Sequence, residues 1–131
     1  MSVLVSYVPT EEGYAALTAA IDEAELRKVP LTVLNVVIGY DFSDVTAADE
    51  KDLDAVRTRL ALTSLSFTVV QSTEGDSVAS EILRHAAEVD ASLIVVSLHR
   101  RSLVGKALLG SNAQRIIVGA DCAVLAVRPA V

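Results

Sequence analysis

The residues able to do chemistry gather in one stretch, SLHRRSLVGKALLGSN, at positions 97–112. It holds Ser97, His99, Arg100 and Arg101, and it ends on Gly110, Ser111 and Asn112. A guanidinium presents a planar fork that suits a phosphate or carboxylate. Gly110-Ser111-Asn112 reads as a helix start, where unpaired N–H groups and the helix dipole favour an anion. Ser111 or Asn112 can cap that turn or touch a phosphate. Two readings therefore stand side by side: a loop that holds one small anion, or a solvated basic loop leading into a plain helix cap. His99 can serve as general base or phosphate donor. The arginines beside it oppose its protonation, and a solvated imidazole is the simpler reading.

Other chemistry is harder to build from this chain. No set of nucleophile, base and orienting group can be assembled, and the two histidines, His85 and His99, are not at metal-ligand spacing. His85 reads as packing on a helix. Cys122 stands alone, which rules out an internal disulfide and a cysteine metal site, and it reads as a small core residue. Asp41, Asp44, Asp49, Glu50 and Asp52 crowd residues 40–52 without the glycine and closing glutamate of a calcium loop, so a solvated loop entering a helix is expected there. Tyr7 and Tyr40 fall near strand ends, where each can stack on a base or pack. The expectation is no catalytic residue and no metal.

Charge agrees with one small ligand. The chain of 131 residues carries a net charge of −6, yet residues 91–120 contain no Asp or Glu and four cations, Arg100, Arg101, Lys106 and Arg115. A local basic field on an acidic protein suits a small anion better than a nucleic acid, which needs a broad basic footprint. There is no basic leader before an apolar core, and no apolar run near the ~20 residues of a membrane span. A soluble cytoplasmic protein, with neither nucleic acid nor membrane as partner, is the expectation.

These residues must be positioned by the elements around them. Apolar residues make up 52% of the chain and aromatics only 4%, so the core is built from Val, Leu, Ile and Ala. That composition suits buried strands between Ala-rich helices. Strands are expected at Ser2–Val8, at 31–39, at Phe67–Gln71, at 91–98 and at 122–129. Helices are expected from the Thr10 cap to Lys28, and over 52–62, 77–89 and 111–120, each with apolar residues at three- and four-residue spacing. The order βαβαβαβαβ, in one domain over 1–131, predicts an α/β fold with a single parallel sheet and helices on both faces. Ligands in such folds sit beyond the carboxyl ends of the strands. The ends on offer are Val8-Pro9-Thr10, Val36-Val37 and the 97–112 stretch.

With its elements in order, the chain resembles the universal stress protein family over essentially its whole length. ASLIVVSLHRRSLVGKALLGSNAQRIIVGADCAVLAVRP is similar to the family's fourth strand, glycine loop, fourth helix and fifth strand. VLVSYVPTEEGYAALTAAI and LTVLNVV resemble its first strand and helix and its second strand. Nucleotide-binding members carry G-x-x-G, nine residues, then G-S or G-T. Here Gly110 and Ser111 match, while Ser97 and Arg100 stand at the two earlier glycine positions. Val8 replaces an Asp that those members have at the end of the first strand, and Thr10 keeps the hydroxyl after it. Asn35 occupies a common His position, and Val36 the position whose backbone faces adenine.

The resemblance implies a five-stranded, Rossmann-like sheet of order 3-2-1-4-5, and a homodimer formed through the last strand at Cys122, Val124, Leu125 and Val127. It also implies a non-enzymatic binding or signalling module with a site for ATP or another adenine nucleotide. A glycine lets backbone N–H groups approach a phosphate closely, whereas Arg100 adds bulk and disfavours left-handed backbone by roughly 1 kcal/mol. ATP binding in the family manner is therefore expected to be weakened or lost. Two alternatives remain at this point: a nucleotide or anion site using Arg100, Arg101 and Ser111, and a nucleotide hydrolase or phosphotransferase. The second would need a metal-binding carboxylate near the loop, and residues 91–120 have none.

Overall fold

Apolar side chains alternate between the two faces of every inner strand, and both faces are covered. The computed structural model describes residues 1–100 and 107–129, with 99, 100, 107 and 108 described by backbone alone. In chain order the elements are β1 (Ser2–Ser6), α1 (Glu11–Arg27), β2 (Leu31–Val36), a 3-10 turn (Ile38–Tyr40), α2 (Glu50–Ala61), β3 (Phe67–Ser72), α3 (Val78–Glu88) and β4 (Ala91–Ser97). A short ribbon follows, β5 (His99–Arg100) with β6 (Ala107–Leu108), and then α4 (Ser111–Gly119) and β7 (Ala123–Val127). The sheet runs β3-β2-β1-β4-β7 with every pair parallel, which is the order 3-2-1-4-5 counted over its five strands. Val3, Val5, Val33, Leu93 and Val95 pack toward α1 and α2. Leu4, Leu34, Ile94 and Val96 pack toward α3 and α4. Burial on both faces is why these strands read as unbroken apolar runs. No helix among the described residues is long and apolar enough to cross a membrane.

Strand ends differ from the sequence expectation, and the differences matter for the site. β1 stops at Ser6 instead of Val8, although the Tyr7 N–H still donates to the Leu34 carbonyl at 2.8 Å. β2 stops at Val36 instead of residue 39, because Gly39 and Tyr40 both take left-handed backbone, at φ +65° and +58°. The ribbon of β5 and β6 was not anticipated. Thr10 caps α1 by accepting from the Gly13 N–H, and Ser77 caps α3 in the same way through Ser80. Asp49 and Asp52 form a reciprocal capping box on α2, which accounts for two of the crowded acids. Gly13 is required by close approach: a β-carbon there would fall 1.7 Å from the Val8 carbonyl oxygen. The first turn of α1 thus rests directly on the turn that follows β1.

The connection from β3 to α3 is held by a buried carboxylate. Glu81 is only 4% exposed. Its Oε1 accepts from the Ser72 hydroxyl at 2.5 Å and from Arg84 Nη2 at 2.9 Å, and its Oε2 accepts from Arg84 Nε at 3.0 Å. Gly75, at φ +104°, crosses above it, and a β-carbon at that position would come within 2.5 Å of the Glu81 side chain. The Arg84 fork first, and the Ser72 hydroxyl second, hold the Glu81 carboxyl down at about 2 against an ordinary 4.5.

A depressed carboxyl pKa stabilises the fold fully above the unfolded value and loses that contribution as pH falls through the folded one. Wild-type stability should therefore drop between about pH 4.5 and pH 2 through Glu81. Glu81→Gln should cost about 1–3 kcal/mol at pH 7 in denaturant unfolding. The gap between the two proteins should narrow steadily across that acid window. A constant gap would contradict the assignment.

Candidate functional site

β1 is the point where the sheet changes direction, with β2 on one side and β4 on the other. A cleft of about 230 Å³ opens beyond the carboxyl ends of these three strands. Ser6, Tyr7 and Val8 form its floor after β1, Val36 closes β2, and Val96 and Ser97 close β4. Val78 and Ile82 come from α3, Asn112, Ala113 and Ile116 from α4, and Asp44 and Thr46 from the loop before α2. Most of the lining is aliphatic, with a few polar groups at the edges, as small-molecule sites generally are.

One buried amide places much of this. Asn35, in β2, is 1% exposed. Its Nδ2 donates to the Tyr7 carbonyl at 2.9 Å and to the Thr46 carbonyl at 2.8 Å. Its Oδ1 accepts from the Ala48 N–H at 3.0 Å and from Gln71 Nε2 at 3.1 Å. Both donors and both lone pairs are therefore used. Gln71 also donates to the Ala48 carbonyl at 2.8 Å, so β3 joins the same network. The loop over residues 46–48 is thereby fastened to the sheet at the mouth of the cleft. Asp44 then turns toward that mouth: its Oδ1 accepts from the Thr46 N–H at 2.9 Å and from the Thr46 hydroxyl at 2.7 Å. Those two bonds, the backbone one first, hold the Asp44 carboxyl below the usual carboxylate range.

Of the residues singled out from sequence, the fold brings Val8, Val36, Ser97 and Asn112 together on the cleft. Thr10 is not on it, and its hydroxyl is occupied by the cap of α1. Gly110 is the N-cap of α4, and Ser111 is exposed on the first turn beside it. No capping side chain closes that turn, in contrast to Thr10, Asp49 and Ser77 on the other helices. Asn112 Oδ1 instead accepts from the Ala79 N–H at 3.2 Å, which ties the first turns of α3 and α4 together. His99 and Arg100 pair through their backbones with Leu108 and Ala107. Arg101 lies outside the described residues.

Tyr7 does not offer its ring to the cleft. The ring packs in the α1–α2 core, 6.1 Å from that of Tyr14, and burial pushes its phenol well above the ordinary range. Tyr40 is exposed and away from the lining. His85 is partly buried beside Glu88 on α3. Along the last strand, Cys122 and Val124 pack against the α3–α4 core and Val127 against the opposite one, while Leu125 is 36% exposed. Burial, with the Asp121 charge second, pushes the Cys122 thiol up.

Asp44, Thr46 and the amide of Asn35 are the site features that sequence reading missed. The Asp-x-Thr spacing at 44–46, which favours a side chain bonding its own backbone two residues on, was the available signal.

The family model for the Universal stress protein family matches residues 1–128. A curated universal stress protein from Mycolicibacterium smegmatis is 33% identical over 127 residues, covering 97% of each chain. A solved universal stress protein from Archaeoglobus fulgidus is similar at a TM-score of 0.78 and 25% identity, over 96% of this chain and 97% of that one. A structure of the universal stress protein from the same organism in complex with dAMP superposes at a TM-score of 0.70 and 22% identity, over 96% of each chain.

Asn35→Ala should take this partner from the Tyr7 and Thr46 carbonyls and the Ala48 N–H, and leave Gln71 with its bond to the Ala48 carbonyl alone. It should cost about 3 kcal/mol in denaturant unfolding. Hydrogen exchange should show the amides of residues 46–48 opening before the sheet does. Exchange at those amides matching wild type would show that the loop is held by something else.

Proposed function

The chain belongs to the universal stress protein family, and from that premise we propose that it is a non-enzymatic binding and signalling module whose cleft takes an adenine nucleotide. The observation that carries this reading is the end of the cleft at α4. There, alone among the four described helices, the first turn has no side-chain cap, and Asn112 and Ala113 of that turn line the cavity. Unpaired N–H groups with a helix dipole behind them are suited to a phosphate. The aliphatic walls from Val8, Val36, Val78 and Ile82 suit a flat heterocycle. The dAMP complex of the archaeal relative is in line with such a ligand.

A monophosphate fits this chain better than ATP. Ser97 and Arg100 occupy the positions where glycines would admit a longer phosphate chain to the backbone, so triphosphate binding in the family manner is weakened. Arg100 and Arg101 belong to the segment that follows, and their guanidinium groups supply side-chain donors for one anion. No acid–base–nucleophile set accompanies the cleft among the described residues, which favours binding over turnover.

The module is proposed to act as a homodimer through β7. Among the described residues this strand pairs only with β4, and an open apolar edge is normally covered. Leu125 on the strand, with Ile117 and Val118 on α4, leaves large apolar side chains exposed on these two neighbouring elements.

Thermal unfolding with AMP, dAMP, cyclic AMP, ATP and inorganic phosphate, with and without magnesium, tests the ligand. A ligand at about a hundred times its Kd should add about 2.7 kcal/mol. The monophosphates should raise Tm more than ATP does, and Arg100→Gly should enlarge the ATP shift. No shift with any nucleotide would overturn the reading, and ATP turnover above a protein-free control would replace it with a hydrolase. Sedimentation of wild type should give a dimer and Leu125→Asp a monomer. A monomeric wild type at micromolar concentration would remove β7 as the interface.

A further inference from the structure

We infer that Asp44 is a specificity-determining residue of the cleft, an acceptor that reads a hydrogen-bond donor on the uncharged end of the bound ligand. The inference rests on the nucleotide reading above and adds which feature of the nucleotide is recognised and by what. Asp44 is the only charged residue in the described lining of the cleft, and Asp41 borders only the adjoining recess. The end of β1 contributes Val8, whose side chain has no polar atom, so any carboxylate contact must come from elsewhere. Asp44 supplies it from the loop between β2 and α2.

Three observations support a reading role over mere solvation. First, the carboxylate is oriented: both Thr46 donors engage Oδ1, and the Thr46 carbonyl is itself fixed by Asn35. Its position is thus referred back to the buried sheet. Second, Oδ2 accepts no hydrogen bond from any described residue, so a full acceptor remains for a ligand. Third, Asp44 sits on the β2 side of the cleft. Together with Val36, Thr46 and Val78 it also borders an adjoining recess of about 130 Å³ that none of the α4 residues line. A nucleotide with its phosphate at the α4 turn would turn its base or sugar toward that side.

An ionised carboxylate can only accept. It pairs with an exocyclic amine or a ribose hydroxyl and repels a ring carbonyl. The base amine and the sugar hydroxyl are two sources of the same donor chemistry, and they can be separated experimentally. Sites built to pair with a polar group reject analogues lacking it more sharply than apolar pockets reject a change in size.

The test is calorimetric titration of wild type, Asp44→Asn and Asp44→Ala with AMP, IMP and 2′,3′-dideoxy-AMP. IMP replaces the amine by a carbonyl, and the dideoxy compound lacks both hydroxyls. Wild type should bind AMP at least about tenfold more tightly than one of the two analogues, and Asp44→Ala should abolish that preference. Asp44→Asn can still accept from Thr46 through Oδ1 and would place an NH₂ where Oδ2 was. If the amine is the group read, this variant should shift the preference toward IMP. Preference against IMP identifies the base, preference against the dideoxy compound identifies the sugar, and either supports the inference. Equal binding of all three by wild type, or a preference that persists in Asp44→Ala, would overturn it while leaving the nucleotide reading intact. Failure of wild type to bind AMP at all would remove both. Unliganded melting of each variant reports whether the fold is preserved.

Discussion

A buried amide cannot be left partly satisfied, and that constraint at Asn35 organises the working end of this fold. Its carboxamide is out of water at the end of a buried strand, and each of its hydrogen-bonding positions is matched. The matching groups come from three segments: the turn after β1, the loop before α2, and β3. An apolar residue of the same size would leave backbone groups at 7, 46 and 48 to find partners in a dry interior, where each unpaired group costs about 1–3 kcal/mol. The network therefore fixes a loop that has little apolar packing of its own. Exposed Tyr40, Phe42 and Val45 show how few of that loop's side chains reach the core.

The opposite wall of the cleft is secured by a buried charge and a second amide. Glu81, held by Arg84 of its own helix, binds α3 to β3 through Ser72, and Asn112 binds α3 to α4 through the Ala79 N–H. Asn112 thereby satisfies a donor on its neighbour, while the cap position of its own helix is Gly110, which has no side chain to close the first turn. The α3 turn, by contrast, already has Ser77. Of the four α-helices described, α4 alone has no side-chain cap, and its first turn lies next to the cavity.

Much of this fold was legible in the sequence, and the physical reason is periodicity. Strands covered on both faces appear as apolar runs, and helices as three- and four-residue spacing, so every sheet strand and every α-helix could be placed before any contact was known. Strand order came from resemblance, because nothing local distinguishes β1 as the central strand. The cleft was legible only as far as topology carries: Val8, Val36 and Ser97 follow from lying at strand ends. Asp44 is exposed, as the solvated-loop reading expects, but its orientation at the cleft was not legible, since that depends on Thr46 and, through it, on an amide in another element. Gly13 and Glu81 were hidden for a related reason. A glycine one turn into a helix looks like a weak helix former until the Val8 carbonyl is seen against it, and a glutamate on a helix looks exposed until Ser72 and Gly75 close over it.

Polarity across the cleft follows from these placements. On the β2 side the loop brings a fixed negative charge, and on the α4 side an uncapped helix start follows the basic residues of the 97–112 stretch. A ligand with one anionic end and one donor-bearing end is complementary to that arrangement, whereas a polyphosphate would press added negative charge into the space between the two. Val8 brings no polar side-chain atom to the floor, and Asp44 brings an acceptor to the rim. The negative charge at the rim is therefore held in place only as firmly as the Asn35 network holds the loop that carries Asp44.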